Sequence, residues 1–205
     1  METDLYLYGG SGHCKVIVDV LESTGRRVLA IVDDNPKSSA LFGIPVIGAA
    51  DLPAGARMIL SVGNNRTRKR IAAAVDAGFE TAVHVRASIS PRSQIGAGTV
   101  VMAGAIVNPD SHIGNHCIIN TGAIIEHDAH IGDFAHISPG AALAGNVTVG
   151  EGSHVGINAA VIQGVKIGRW ATIGAGAVII RDVPDFATVV GNPGRIIKYS
   201  DHEQY

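Results

Sequence analysis

A branched or long aliphatic side chain recurs at every sixth position of this chain: Ile89, Ile95, Val101, Val107, Ile113, Ile119, Ile125, Ile131, Ile137, Leu143, Val149, Val155, Val161, Ile167, Ile173 and Ile179, sixteen in register. Two residues before each stands a smaller side chain, as at Ala105, Cys117, Ala123, Ala129, Ala135 and Ala141. A period of six in which alternate residues face inward describes a very short strand followed by a corner, and such strands stack into a parallel β-helix. Three sides make one coil of eighteen residues, the spacing at which Gly96, Gly114, Gly132, Gly150 and Gly168 recur. Glycine at these points is expected to supply the backbone freedom that a tight corner needs. Composition agrees, because a chain that is 46 % hydrophobic, only 4 % aromatic and carries 26 Gly must line its core with small aliphatic side chains.

The segment before the repeat reads differently. Leu5-Tyr6-Leu7-Tyr8 is a strand, Gly9-Gly10-Ser11-Gly12-His13 a glycine-rich turn, Cys14 to Ser23 an amphipathic helix, and Val28 to Val32 a second strand ending at Asp33-Asp34-Asn35. Strand, glycine turn and helix open a βαβ unit, whose turn offers backbone N–H groups and a helix N-terminus to a phosphate. An acidic residue after the second strand commonly meets a ribose or base. The turn departs from the G-x-G-x-x-G fingerprint, and about 80 residues are few for a complete dinucleotide fold, so a mononucleotide fits better than NAD. Arg57 to Val62 followed by Gly63-Asn64-Asn65 suggests a later strand ending at the same crevice, and the charge run Arg66, Arg68, Lys69, Arg70 reads as a solvated helix face, with a phosphate clamp as the alternative. The expected division is residues 1–85 for this α/β, Rossmann-like module, 86–181 for the β-helix and 182–205 for a short tail.

Sixteen Lys plus Arg against eighteen Asp plus Glu leave a formal charge of −2, without the basic excess of a nucleic-acid surface. The chain start lacks a charged n-region and a long apolar run, and no uninterrupted apolar stretch of about 18 residues follows, so neither a membrane span nor export is expected and the cytoplasm is the expected location. Cys14 and Cys117 are far apart and read as free, buried thiols.

On these residues the chain resembles the left-handed β-helix, hexapeptide-repeat acyltransferases, and the handedness comes from that resemblance alone. The Gly-x-Ser-Gly-His turn, the Asp-Asp pair and the Gly-Asn-Asn segment ahead of the repeat make it similar to the nucleotide-sugar N-acetyltransferases, especially those of the UDP-bacillosamine pathway. Sialic-acid O-acetyltransferases share the layout. The resemblance implies a homotrimer that binds acetyl-CoA between subunits and a UDP-amino sugar at the N-terminal module. By matching positions it assigns Gly12, His13, Asp33, Asp34 and Asn64 to the sugar nucleotide. The end of the repeat, Val190-Gly191-Asn192-Pro193-Gly194-Arg195, is similar to the family's Gly-Asn-Pro-Ala segment, with Gly194 in place of Ala. Whether Arg195 and Lys198 serve the CoA phosphates or form an ordinary basic tail stays open.

Of nine histidines, His127 follows Glu126 just past an inward position, so its side chain should emerge at a corner, where an adjacent carboxylate can orient the ring and raise its basicity. The family's Asn-Thr-x-x-x-x-Glu-His run matches Asn120-Thr121 and Glu126-His127, which implies His127 as general base, Glu126 as its orienting partner and Asn120 in the cofactor site. One coil onward, about 4.8 Å away, comes Gly145, whose N–H could donate to the thioester carbonyl. His136 is half a coil from His127, so the two should lie on different sides of one helix and meet only across subunits, in the acetyl-CoA pocket of the matching family histidine. His136 could instead form a stacked pair with His154; His112 and His130 share another column and carry no assigned chemistry. No metal is expected, although a zinc site between subunits, as in gamma-class carbonic anhydrases, is an alternative. The expected activity is acetyl transfer to the amine of a nucleotide-linked sugar, with sugar O-acetylation and a non-catalytic sugar-nucleotide scaffold as the rivals.

Overall fold

The computed structural model describes residues 5–200; Met1–Asp4, which belong to the chain start read above, and His202 lie outside them. The N-terminal module is a sheet of β1 (Leu5–Tyr8), β2 (Val28–Val32), β3 (Ala40–Leu41), β4 (Ile44–Ile47), β5 (Arg57–Leu60) and β6 (Gly78–Phe79) in the order β3-β4-β2-β1-β5-β6. All neighbours run parallel except the β3–β4 hairpin. Helix α1 (Gly12–Ser23) buries Cys14, Ile17, Val18 and Leu21, a 3-and-4 spacing that forms one stripe, against Leu5, Leu7 and Ile31. The opposite face carries Tyr8, Val32, Met58 and Leu60 against Ile71 of α2 (Asn65–Ala74). The α1-side core continues through Ala82, Val100, Met102 and Ile118, which are residues of the β-helix wall.

The repeat folds as a left-handed β-helix of two-residue strands on three walls. The first wall stacks Ala82–Val83, Val100–Val101, Ile118–Ile119, His136–Ile137, His154–Val155 and Thr172–Ile173, so the stacking begins at Ala82. The second contains Ile124–Ile125 on Ala142–Leu143, and the third His112–Ile113 on His130–Ile131. The inward aliphatics and their small partners form one continuous core, with Ala123, Ile125, Ala135, Ile137 and Ala141 all fully buried. Each inward Ile or Leu contributes roughly 1.5–3 kcal/mol by leaving water. The hydroxyls at small positions are paired: Thr99 Oγ1 donates to Gly114 O (2.7 Å) and Ser153 Oγ to Gly168 O (2.6 Å) of the next coil, and Ser93 Oγ to Ser90 O (2.7 Å) within its own. At the end of the repeat Ala187–Val190 pairs with Arg195–Tyr199 in an antiparallel hairpin.

The corner glycines act through space rather than through backbone freedom. The left-handed conformation falls two residues later, at His116 (φ 53°), Phe134 (φ 59°), Gly152 (φ 67°) and Trp170 (φ 54°), and not at Gly114, Gly132, Gly150 and Gly168. A Cβ on Gly132 would come within 2.7 Å of the Glu151 amide nitrogen, and one on Gly150 within 2.6 Å of that of Arg169. Glycine is needed there because successive coils touch backbone to backbone. Gly194 is similar: a Cβ would meet Ile179 Cδ1 at 2.8 Å and Val189 Cγ1 at 2.9 Å, which accounts for glycine in place of alanine in that segment.

Candidate active site

The ends of β1, β2 and β5 form one crevice where the strand order branches on either side of β1, the usual place for a ligand in an open α/β sheet. Gly9 takes a φ of 108°, and a Cβ there would press into Val62 Cγ2 at 2.6 Å. The Gly10 amide donates to Asp33 Oδ2 (2.6 Å), while Asp33 Oδ1 accepts from the Asn35 amide (2.9 Å). Buried Ser61 donates from Oγ to the Gly9 carbonyl (2.7 Å), tying the β5 end to the glycine turn. Tyr8 donates to Asp34 Oδ1 (2.9 Å), and burial together with that carboxylate raises the phenol to about 12. Gly12 opens α1, no acidic residue stands in its first turn, and the Ser11 side chain makes no cap, so the positive end of the helix remains available to an anion. Asn64 caps α2, its side-chain oxygen accepting from the Thr67 amide (2.9 Å).

Between this module and the first wall of the β-helix lies a cluster of histidines. His136 and His154 stack with centroids 4.6 Å apart and planes at 4°. Asn120 Nδ2 lies 3.0 Å from His136 Nε2, and Ser138 Oγ lies 2.7 Å from His154 Nε2. His136 Nδ1 and His13 Nε2 are buried with no hydrogen-bond partner among the described residues. Burial first, then the charge of Arg68, lowers His13 to about 4. Burial, followed by His154, Arg68 and His13, lowers His136 to about 3. Both rings are therefore neutral at physiological pH. Beside them a cavity of about 320 Å³ is lined by Gly63, Asn64, Arg66, His154 and Trp170.

His127 is on another wall. It follows Ile125-Glu126 at the corner between the second and third walls, exposed to solvent, and Asp128 takes the left-handed conformation (φ 60°) immediately after it. That turn brings Asp128 Oδ2 to 2.7 Å from His127 Nδ1. The hydrogen bond to Asp128 holds the imidazole above its ordinary pKa, and the charges of Asp128 and Glu126 add to it. Glu126, on the other side of the histidine in sequence, acts on the ring by charge rather than by a hydrogen bond. The ring stands over Gly145: a Cβ there would meet His127 Cε1 at 2.6 Å and Nε2 at 2.8 Å. The next amide, Asn146, donates to the His127 carbonyl (2.9 Å), whereas the Gly145 amide has no acceptor among the described residues.

The structure thus gathers the predicted residues into two groups. Gly12, His13, Asp33, Asp34, Asn64, Asn120 and His136 border the crevice or the joint beside it, and Glu126, His127 and Gly145 form the second corner. His112 and His130 stack at 5.0 Å on the third wall. No cluster of three or more metal-ligating side chains is present among the described residues, and none of their helices is long and apolar enough to cross a membrane. The sequence patterns do not single out Asp128, and they place Arg68 on a solvated helix face, whereas it is buried. The left-handed corner that swings Asp128 onto the ring recurs at the same coil position at Asp110 (φ 59°) and Asn146 (φ 57°), which is a legible signal.

Residues 4–75 match the PglD N-terminal domain, and residues 110–145 and 146–181 each match the bacterial transferase hexapeptide family of six repeats. No match appears among curated proteins. The perosamine N-acetyltransferase PerB of Caulobacter crescentus, solved with CoA and GDP-perosamine, is 37 % identical over 97 % of this chain and 99 % of its own, with a TM-score of 0.89. The acetyltransferase domain of PglB from Neisseria gonorrhoeae FA1090, solved with acetyl coenzyme A, is 38 % identical over 96 % of this chain and 100 % of its own, with a TM-score of 0.88. WeeI from Acinetobacter baumannii AYE is 26 % identical over 95 % and 100 %, with a TM-score of 0.86. The chain belongs to the acetyl-CoA-dependent sugar N-acetyltransferases that join a PglD N-terminal domain to a hexapeptide-repeat β-helix.

Proposed function

We propose that the protein transfers the acetyl group of acetyl-CoA to the amine of a nucleoside-diphosphate-linked 4-amino sugar, with His127 as general base. The observation that carries this reading is the corner at His127: an exposed imidazole whose Nδ1 is held by Asp128 and whose Cε1 and Nε2 lie where a side chain of Gly145 would go, beside a residue whose amide has no acceptor among the described residues. With Nδ1 bonded to a carboxylate, the neutral ring presents Nε2 as acceptor. That nitrogen takes the proton as the amine attacks the thioester carbonyl, the Gly145 N–H donates to the oxygen that gains charge, and collapse of the tetrahedral intermediate breaks the C–S bond and releases CoA, whose sulfur takes the proton back from the imidazolium. Glu126 adds negative charge beside the imidazolium.

Transfer is direct. Both cysteines are buried, burial pushes the Cys117 thiol up to about 12 and raises that of Cys14, and a thiol kept protonated is a poor nucleophile. Gly12, His13, Asp33, Asp34 and Asn64 hold the sugar nucleotide on this reading, while Asn120, His136 and Gly145 serve acetyl-CoA. His127 and His136 are on different walls of one chain, so a site that uses both is completed between subunits of a homotrimer. The reading places the enzyme in the cytoplasm.

The preferred acceptor is a UDP-4-amino-4,6-dideoxy sugar. The GDP-linked sugar bound to the Caulobacter relative favours a GDP sugar as the second reading. Following free thiol release with acetyl-CoA and UDP-4-amino sugars, GDP-amino sugars or sialic acids separates these readings. Release with sialic acids alone would overturn N-acetylation, and the lack of release with any of these acceptors would leave a binding scaffold.

A further inference from the structure

One charge of the α2 run is not at the surface. Arg68 is 1 % exposed, and its guanidinium donates only to neutral acceptors. Nε donates to the His116 carbonyl (2.8 Å), Nη1 to the carbonyls of Val62 (3.0 Å) and Gly63 (3.3 Å), and Nη2 to Asn65 Oδ1 (2.9 Å) and the Phe134 carbonyl (2.8 Å). Asn65, also buried, donates from Nδ2 to the carbonyls of Gly152 (3.0 Å) and Ser153 (3.3 Å). His116, Phe134 and Gly152 occupy the same left-handed corner of three successive coils, with φ of 53°, 59° and 67°. The N-terminal turn of α2 therefore grips three coils in register.

A buried cation without a carboxylate is tolerated only when its donors are all satisfied, and an apolar residue of similar volume would pack without that cost. What a planar fork supplies and an apolar residue does not is fixed geometry. Here the fork holds the loop Val62-Gly63 against the coils. That loop follows β5, borders the crevice beside Gly9, and brings the Gly63 carbonyl near enough to His136 to favour its protonated form slightly. The same guanidinium, after burial, disfavours charge on His13, His116 and His154.

The geometry points to Arg68 and Asn65 as positioning residues that lock the Val62–Asn64 loop of the nucleotide module to three coils of the β-helix, and so set the height along the helix at which the amino end of the nucleotide-linked sugar is presented. This rests on the nucleotide-sugar reading above. It assigns the two residues no contact with the reacting atoms.

The test compares Arg68→Lys, Arg68→Met and Asn65→Ala with the wild type by hydrogen exchange and steady-state kinetics with acetyl-CoA and the best UDP- or GDP-amino sugar. Amide exchange over 61–65 should quicken about tenfold or more, the scale expected when charge-assisted hydrogen bonds are lost, while exchange over 171–179 is unchanged. KM for the sugar nucleotide should rise about tenfold with that for acetyl-CoA within about twofold, a split that uniform destabilisation does not produce. Unchanged loop exchange in a folded Asn65→Ala or Arg68→Lys protein, or equal rises in both KM values, overturns the assignment. Asn65→Ala decides the matter if the Arg68 variants do not fold. If no sugar nucleotide binds the wild type, the functional reading fails, and the exchange data still judge the clip.

Discussion

The imidazole of His127 occupies the space that a side chain on Gly145 would fill, one coil further along, with 2.6 Å between the position of such a Cβ and His127 Cε1. The absence of a side chain at 145 lets the ring lie against that residue, its Nδ1 on Asp128, beside a backbone N–H that has no acceptor among the described residues. Replacing Gly145 with Ala should push the ring outward and lower kcat about 10- to 100-fold. Sugar-nucleotide affinity, measured calorimetrically, should stay the same because that module is elsewhere. A Gly145→Ala enzyme with wild-type kcat would refute the packing argument.

Removal of the base itself should be costlier. His127→Ala should reduce turnover by about two to four orders of magnitude, the usual contribution of a general base, with binding of both substrates retained. Normal turnover in this variant would remove His127 from the chemistry.

Asp128 determines where the acid limb of the pH profile falls. The base is active when neutral, and the hydrogen bond to Asp128 holds the His127 pKa above its ordinary value, so activity is lost as pH falls through that raised value. In Asp128→Asn the limb should move to lower pH while the plateau falls, because the ring loses its anchor. Glu126→Gln removes only a charge that makes no hydrogen bond to the ring and should move the limb less. A pH profile of kcat/KM that shifts more for Glu126→Gln than for Asp128→Asn would contradict the geometry.

The buried imidazoles make folding acid-sensitive. His13 and His136 have folded values of about 4 and about 3, below the ordinary 6.5. The unfolded chain thus takes up protons first, and stability falls as pH drops from about 6.5 toward 4. Thermal melts over that range should show a Tm decreasing with acidity, with a shallower slope in His136→Gln by about one proton. An equal slope would mean that His136 is protonated in the folded protein.

The coil contacts leave no room at Gly132, where a Cβ would approach the Glu151 amide nitrogen at 2.7 Å and the Gly150 carbonyl carbon at 3.0 Å. Gly132→Ala should therefore destabilise the β-helix by about 1–3 kcal/mol or more, the cost of overpacking a rigid contact, read as a lowered denaturation midpoint. Gly12→Ala, which meets nothing within 4 Å, serves as the control and should have little effect.

The sequence by itself determined the coils. Inward alternation and an eighteen-residue turn are local, repeated properties of the chain, and parallel pairing converts them directly into columns; from that alone His127 lies beside Gly145 and His136 beside His154. Strand, glycine turn and Asp33 were legible for the same reason, since neighbouring residues and turn chemistry carry them. Only the tertiary structure decided that glycine at positions such as 132 answers to the next coil's backbone, and that Asp128 rather than Glu126 bonds the imidazole, because Asp128 itself takes the left-handed conformation at the corner and turns its carboxylate onto the ring. It alone took Arg68 out of a run that reads as a solvated face. The acceptors that bury it, the carbonyls of His116 and Phe134, are 48 and 66 residues away in the chain, and no local pattern encodes a contact made only when two modules dock.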